Sequence, residues 1–197
     1  MLSLFVAKTI GAIRTQIWTQ MLKQRVLAYP IPANGHHPNF KGAAKAAKLL
    51  VDELFEIGKI KSGDTVLSYP DYVLRPLRKL LLERGVVVIV PAKYKGYRKL
   101  DGGVVNAWIG SSISGAEKEG ELINDIPDIV MAFIAVVAID KLGSSLSKGY
   151  GFNLPADLKD IYKATIVHPV QVLAQLPKSE LNLTIYANPQ KVNNLSP

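Results

Sequence analysis

Apolar side chains recur at Ala43, Ala46, Ala47, Leu50, Val51, Leu54 and Phe55, with Lys45, Lys48, Asp52, Glu53 and Glu56 between them. Spacing near 3.6 residues per turn predicts an amphipathic helix over 43–57, and Gly58 is a natural stop for it. Phe5, Ile10, Ile13, Ile17 and Met21 predict another helix over 3–25. Gly11 interrupts this one, at about 1 kcal/mol against alanine. The pattern then switches to runs without alternation at 64–69, 86–90 and 129–139. Continuous β-branched runs are what parallel strands covered on both faces look like. A helix over 75–84, with Leu77, Leu80 and Leu81 inward, separates the first two, and strand–helix–strand implies a right-handed crossover. Weaker signals give a short helix at 116–123, a short helix or turn at 154–162, strands at 164–168 and 182–186, and a helical turn or short helix at 170–176.

Two stretches lack either period. Residues 26–42 hold three prolines and two glycines and predict a long irregular loop containing His36, His37, Asn39, Phe40 and Lys41. A loop of that length in a compact domain is usually functional or disordered, and this set of side chains could line a polar ligand pocket. Residues 93–115 are glycine-rich and basic, then polar, and read as a second loop. The expected organisation is a single α/β domain over 1–187 with a mobile polar tail over 188–197.

With 48% hydrophobic and 20% charged residues, the chain can bury a core. The absence of cysteine excludes disulfides, thiolate zinc sites and a cysteine nucleophile, and fits an intracellular, cytoplasmic protein. The net charge of +8 favours anionic partners: a nucleotide, a polyglutamylated ligand, nucleic acid or an acidic membrane face. No segment reaches the roughly 18 to 20 apolar residues of a membrane span. Lys8 and Arg14 break the weakly signal-like start, which reads as helix. His36 and His37 lack a third ligand at metal-site spacing.

Candidate chemistry concentrates after the run at 129–139, in Lys148, Gly149, Tyr150, Gly151 and Phe152. Small residues let backbone N–H groups converge on a phosphate, and the ammonium adds charge. The other reading is a solvated hairpin turn. Arg14 is a second candidate cation, leaning from the first helix. His168 ends a strand and reads as a packed structural histidine, while Trp18 and Trp108 read as core or rim.

Four stretches in order carry a resemblance: 38–43 (PNFKGA), 69–78 (YPDYVLRPLR), Ala138 to Asp140 followed by Lys148 to Phe152, and 165–172 (TIVHPVQV). Together they resemble the 5-formyltetrahydrofolate cyclo-ligase (methenyltetrahydrofolate synthetase) family, in its archaeal and domain-containing branch, over residues 14 to 192. The resemblance implies a three-layer α/β sandwich with a mostly parallel central sheet, related to the CoA-transferase and ribose-phosphate isomerase group. It also implies a ligase that uses ATP and Mg²⁺ in folate one-carbon metabolism. The formyl oxygen of 5-formyltetrahydrofolate takes the γ-phosphoryl group, the neighbouring folate nitrogen attacks the activated carbon, and phosphate leaves. Such a protein positions two ligands and neutralises phosphate charge, without a nucleophile triad.

By position, the resemblance assigns Arg14, Lys148, Gly149, Tyr150, Gly151 and Phe152 to the ATP phosphates. Asn39, Phe40 and Lys41 would face the ligand. Arg75 and Arg78 would bind phosphate or the folate's glutamate tail, or else hold a helix start in a salt bridge. Asp157 would be the metal residue, because the family's aspartate position holds Leu154. The family's N-terminal lysine is replaced by Ile10, with Lys8 nearby, and its arginine-x-glycine before the loop lysine by Ser145 and Ser147. The alternatives are a relative that binds an anionic small molecule without this chemistry, and an RNA-associated protein using Lys93 to Lys99. Expected partners are folate and nucleotide, with no membrane, and the chain would be a monomer or homodimer.

Overall fold

The computed structural model describes residues 9–177 and 184–193. Helix α1 (Ile10–Lys23) starts behind Thr9, whose hydroxyl accepts the Ala12 N–H at 3.2 Å, and buries Ile13, Ile17 and Met21. The part of the predicted helix before residue 9 lies outside the described residues. Residues 26–42 form the expected loop, pinned by a bridge between Leu27 and Phe40. Helix α2 (Ala43–Glu56) follows Gly42, whose φ of 95° suits glycine and where a Cβ would meet Pro189.

Next come β1 (Thr65–Ser68), a 3-10 turn (Tyr72–Leu74), α3 (Arg75–Glu83) and β2 (Val87–Pro91). The chain continues through β3 (Tyr97–Asp101), α4 (Ala107–Gly110), α5 (Ile113–Glu119), β4 (Glu121–Ile123) and β5 (Met131–Phe133). Then follow β6 (Ala138–Asp140), β7 (Ser145–Leu146), β8 (Lys163–Ile166), β9 (Val172–Leu173), β10 (Thr184–Ala187) and β11 (Val192–Asn193).

The large sheet has the order β11-β10-β8-β5-β1-β2-β3-β4. Its centre, β10-β8-β5-β1-β2, is parallel throughout, and antiparallel β11, β3 and β4 finish its two edges. The protein is therefore an α/β fold on a mostly parallel central sheet. Successive side chains of the central strands divide between the faces. Val66, Val88, Val90, Met131 and Phe133 join the helix-side core, while Leu67, Ile89 and Ala132 point the other way.

Several expectations are corrected. The run at 129–139 is not one strand. β5 belongs to the large sheet and β6 to a small sheet, β7-β6-β9. At the break, the Gln171 side-chain amide donates to the Val136 and Val137 carbonyls at 3.1 and 3.2 Å, removing them from any ladder. The 93–115 stretch contains β3 and α4, and the helix expected at 116–123 is α5 followed by β4. The helical turn expected at 170–176 is present as a 3-10 turn at Pro169–Gln171, but it gives way at once to β9. The tail expected from 188 begins with an ordered return that includes β11, and residues 194–197 lie outside the described part. The three-layer expectation also fails on one side. Phe152, Leu154, Leu158 and Ile161 cover the second face, from a segment holding only a 3-10 turn at Ala156–Leu158. Among the described residues no helix is long and apolar enough to cross a membrane.

Candidate functional site

The chain passes from β1 through α3 to β2 on one side, and β5 returns to the other side of β1. The strand order therefore reverses between β1 and β5. The crossover from β1 runs over the helix face, whereas 152–161, after β5, lie on the opposite face. In open α/β sheets such a reversal opens a crevice beyond the carboxyl ends of the strands, where ligands bind. Tyr69 and Asp71 leave β1 there, and the path from β5 through the β6–β7 hairpin delivers Lys148 to the same place.

Asp71 is the hub. Its carboxylate lies 2.7 Å from His37 Nδ1 and 3.4 Å from Lys148 Nζ. The Lys148 backbone N–H donates to His37 Nε2 at 3.2 Å. A donor on Nε2 assigns the proton to Nδ1, so the imidazole donates to Asp71 while accepting from the glycine loop. Burial is the strongest influence on Asp71 and opposes its ionisation. The His37 hydrogen bond, with the Lys148 charge, outweighs it and holds the carboxyl below its ordinary value.

Around the loop, Arg14 Nε donates to the Ser147 carbonyl at 2.8 Å, and its guanidinium lies against Gly149, where a Cβ would come within 3.1 Å of it. Gly149 and Gly151 have φ of 98° and 88°, and the φ of Tyr150 between them is not positive. This alternation in the sign of φ is the backbone pattern of an anion-binding nest, in which successive N–H groups turn toward one side. Among the described residues no protein acceptor takes the N–H groups of Tyr150, Gly151, Phe152 or Asn153. The Tyr150 hydroxyl donates to the Gly35 carbonyl, tying the nest to the 26–42 loop. Phe152 packs edge-on against Tyr69 and Tyr97 at centroid distances of 5.0 and 6.4 Å. The Leu154 N–H donates to the Tyr69 hydroxyl at 3.0 Å. Burial raises the Tyr69 pKa, helped by the Asp71 charge and opposed by that N–H.

The structure brings Arg14, Lys148, Gly149, Tyr150, Gly151 and Phe152 together. It places the other expected residues elsewhere. Arg78 is 1% exposed and donates to the carbonyls of Ser111, Tyr69 and Asp71 at 2.8, 2.7 and 3.2 Å. Burial lowers its pKa to about 10 against the opposing pull of Asp71. In this setting Arg78 fastens the Tyr69–Asp71 turn from behind. Arg75 stacks on exposed Trp108, 4.8 Å from the ring centroid. Asn39 bonds its own loop, donating to the Tyr29 carbonyl and accepting the Phe40 N–H. Phe40 is buried beside His168, and Lys41 is exposed.

Asp157 is exposed on its 3-10 turn, and its charge, with that of Asp125, raises the Tyr97 pKa after burial. Among the described residues no group of three His, Cys, Asp or Glu could hold a metal. His168 caps the turn after it through Nδ1, and burial lowers its pKa. The Trp18 indole donates to the His36 carbonyl.

His37, read only as part of the polar 26–42 loop, and Asp71, read only within the 69–78 motif, are the site residues that residue-by-residue reading left without a role. A signal existed for each: an acid just beyond a buried strand, and a histidine in a long proline-rich loop. No nucleophile–base pair is present in this arrangement. It can hold a polyanion by backbone N–H groups and two cations.

No protein-family model matches the chain. The methenyltetrahydrofolate synthase domain-containing protein of Bos taurus is 33% identical over 79 residues, which is 40% of this chain and 20% of that protein. The chain thus spans about a fifth of the length of the curated relative it matches. A crystal structure of the tetrameric eIF2B-beta2-delta2 complex from C. thermophilum overlaps 76% of this chain and 49% of that chain, with a TM-score of 0.36 and 13% identity. Nothing about fold or function follows at that level of overlap.

Proposed function

We propose that the chain is an ATP-dependent cyclo-ligase of the methenyltetrahydrofolate synthetase type, converting 5-formyltetrahydrofolate to 5,10-methenyltetrahydrofolate. The observation that carries the reading is the nest at 149–153, flanked by Lys148 and Arg14, at the reversal of strand order. Four N–H groups without protein acceptors and two cations suit a triphosphate, whose transfer chemistry needs positioning and charge stabilisation more than covalent help. The relative's name supports the folate side of the reading, and it carries the domain-containing label of the branch that the sequence motifs resemble.

The residues fit the phosphates better than they fit a metal. Mg²⁺ in phosphoryl-transfer sites keeps several waters and is held by one or two carboxylates together with substrate phosphates. In this reading it enters with the nucleotide, and Asp157 is the carboxylate that the motif alignment offers.

One observation favours a second reading, an anion-binding relative without turnover. The Lys148 ammonium already faces Asp71, and a nucleotide must compete with that carboxylate for it. The RNA reading is weaker. Arg98 pairs with Glu117 at 2.8 Å, and Lys99 lies 3.9 Å from Glu121, so half of the basic run is already balanced.

Isothermal titration with Mg·ATP, with and without 5-formyltetrahydrofolate, separates these readings when absorbance at the methenyl product's band is followed in parallel. Binding with product growth supports the cyclo-ligase. Nucleotide binding without product supports the second reading, and absence of nucleotide binding overturns both.

A further inference from the structure

A second cavity, of about 510 Å³, opens where β9 and β10 meet the β10–β11 return, and it shares no residue with the Lys148 site. Its charged groups are Lys141, at the tip of the β6–β7 hairpin, and Lys191. Neither lysine has an ion-pair partner among the described residues.

Two asparagines line it as well. Asn188 is 4% exposed, and its Oδ1 accepts the N–H groups of Gln190 and Lys191 at 2.9 and 3.1 Å. That turn occupies the oxygen and leaves the amide nitrogen as an open donor. Asn193 Nδ2 has no acceptor among the described residues, but it is sealed from solvent, so the Asn188 nitrogen is the amide donor that reaches the open space. Polar groups of buried residues are nearly always bonded, so an unbonded amide of Asn188 against a cavity marks a place where something accepts. Pro169, Val172 and Tyr186 form the apolar side. Among the described residues no acidic one lines the cavity. The carboxylate nearest in effect, Asp140, acts on Tyr186 but has its oxygens taken by the N–H groups of Leu142, Ser144 and Leu176.

We propose that this cavity is a second ligand site, built for a small organic phosphate whose carbon skeleton rests on Tyr186, Pro169 and Val172. Lysine binds phosphate as a point charge, and the Asn188 amide nitrogen supplies a directed donor. The volume falls within the usual range for small-molecule sites. The inference does not depend on the reading of the Lys148 loop.

The test is a ¹H–¹⁵N titration of the full chain with inorganic phosphate and with phenyl phosphate. The expected result is saturable movement of the Asn188 side-chain amide and of backbone signals over 184–193, with phenyl phosphate binding the tighter. Lys141→Ala/Lys191→Ala should weaken phenyl phosphate at least about tenfold, the effect of losing charge-assisted bonds. Lys45→Ala/Lys118→Ala, which removes equal charge from exposed positions elsewhere, should leave it unchanged. Movement confined to 147–153 would overturn the proposal, as would non-saturating shifts or equal losses in the two double variants.

Discussion

Lys148 and Arg78 show how much a cation's surroundings decide. Both lie near Asp71, yet one guanidinium is sealed behind the turn while the ammonium stands beside an open nest. Replacing Arg78 by Met removes the donor of the Ser111 carbonyl. It also removes one of two donors from the Tyr69 and Asp71 carbonyls, which keep the Ser68 hydroxyl and the Leu74 N–H. A buried group left unsatisfied costs about 1–3 kcal/mol. Arg78→Met should therefore lower unfolding free energy by about 2 kcal/mol in urea melts, and a loss under about 1 kcal/mol would reject the fastening role. Lys148→Ala should weaken Mg·ATP about tenfold or more by calorimetry. Its melting temperature should change little, because Asp71 keeps His37. An unchanged dissociation constant would remove Lys148 from the site.

Asp71 and His168 give the pH dependence. The Asp71 carboxyl is held below its ordinary value of 3.8 in the folded state, so its contribution is complete above that value and disappears as pH falls through the folded pKa. Asp71→Asn should flatten this acid limb. His168 is held below its ordinary 6.5 by burial, so protonation favours the unfolded chain, and stability falls as pH drops from 6.5 toward the folded value. His168→Asn should abolish that mildly acidic component in melts taken across the range, and an unaltered pH profile would assign it elsewhere.

At the scale of elements, what was legible followed from local period. The α2 stripe and the β-branched runs of β1 and β2 state their structure in adjacent residues. The run at 129–139 misled because apolarity says nothing about where ladder partners change. That break depends on Gln171, more than thirty positions downstream. The glycine loop was legible because its spacing is local. Its partners were not: His37 and Asp71 stand 111 and 77 positions from Lys148, and only the sheet order brings them together. Gly149 offers an element-level test. An alanine there takes a left-handed conformation that costs about 1–2 kcal/mol and also presses on Arg14. Gly149→Ala should weaken nucleotide binding more than it lowers the melting temperature, whereas a purely thermal effect would argue against the nest.

Over the whole molecule, the charge of +8 is less available than its sum suggests. Glu117 and Glu121 balance Arg98 and Lys99, leaving Lys93 and Lys95 as the unpaired cations of that run among the described residues. Single-stranded RNA captured by this segment should show a log–log salt slope no steeper than about −1.5, given roughly −0.7 per phosphate neutralised. A much steeper slope would move the contact to another face.

The segment that closes the second face of the sheet begins where the nest ends: Phe152 and Leu154 follow Gly151 directly and pack over Leu67, Ile89 and Ala132. A cover without a helix of its own opens at little free energy, and its amides trade deuterium through such openings. An anion gripped at 149–153 anchors the leading edge of that cover. Occupancy should therefore slow deuterium uptake across 152–161, carrying the record of ligand capture from the mouth of the crevice to the opposite side of the sheet.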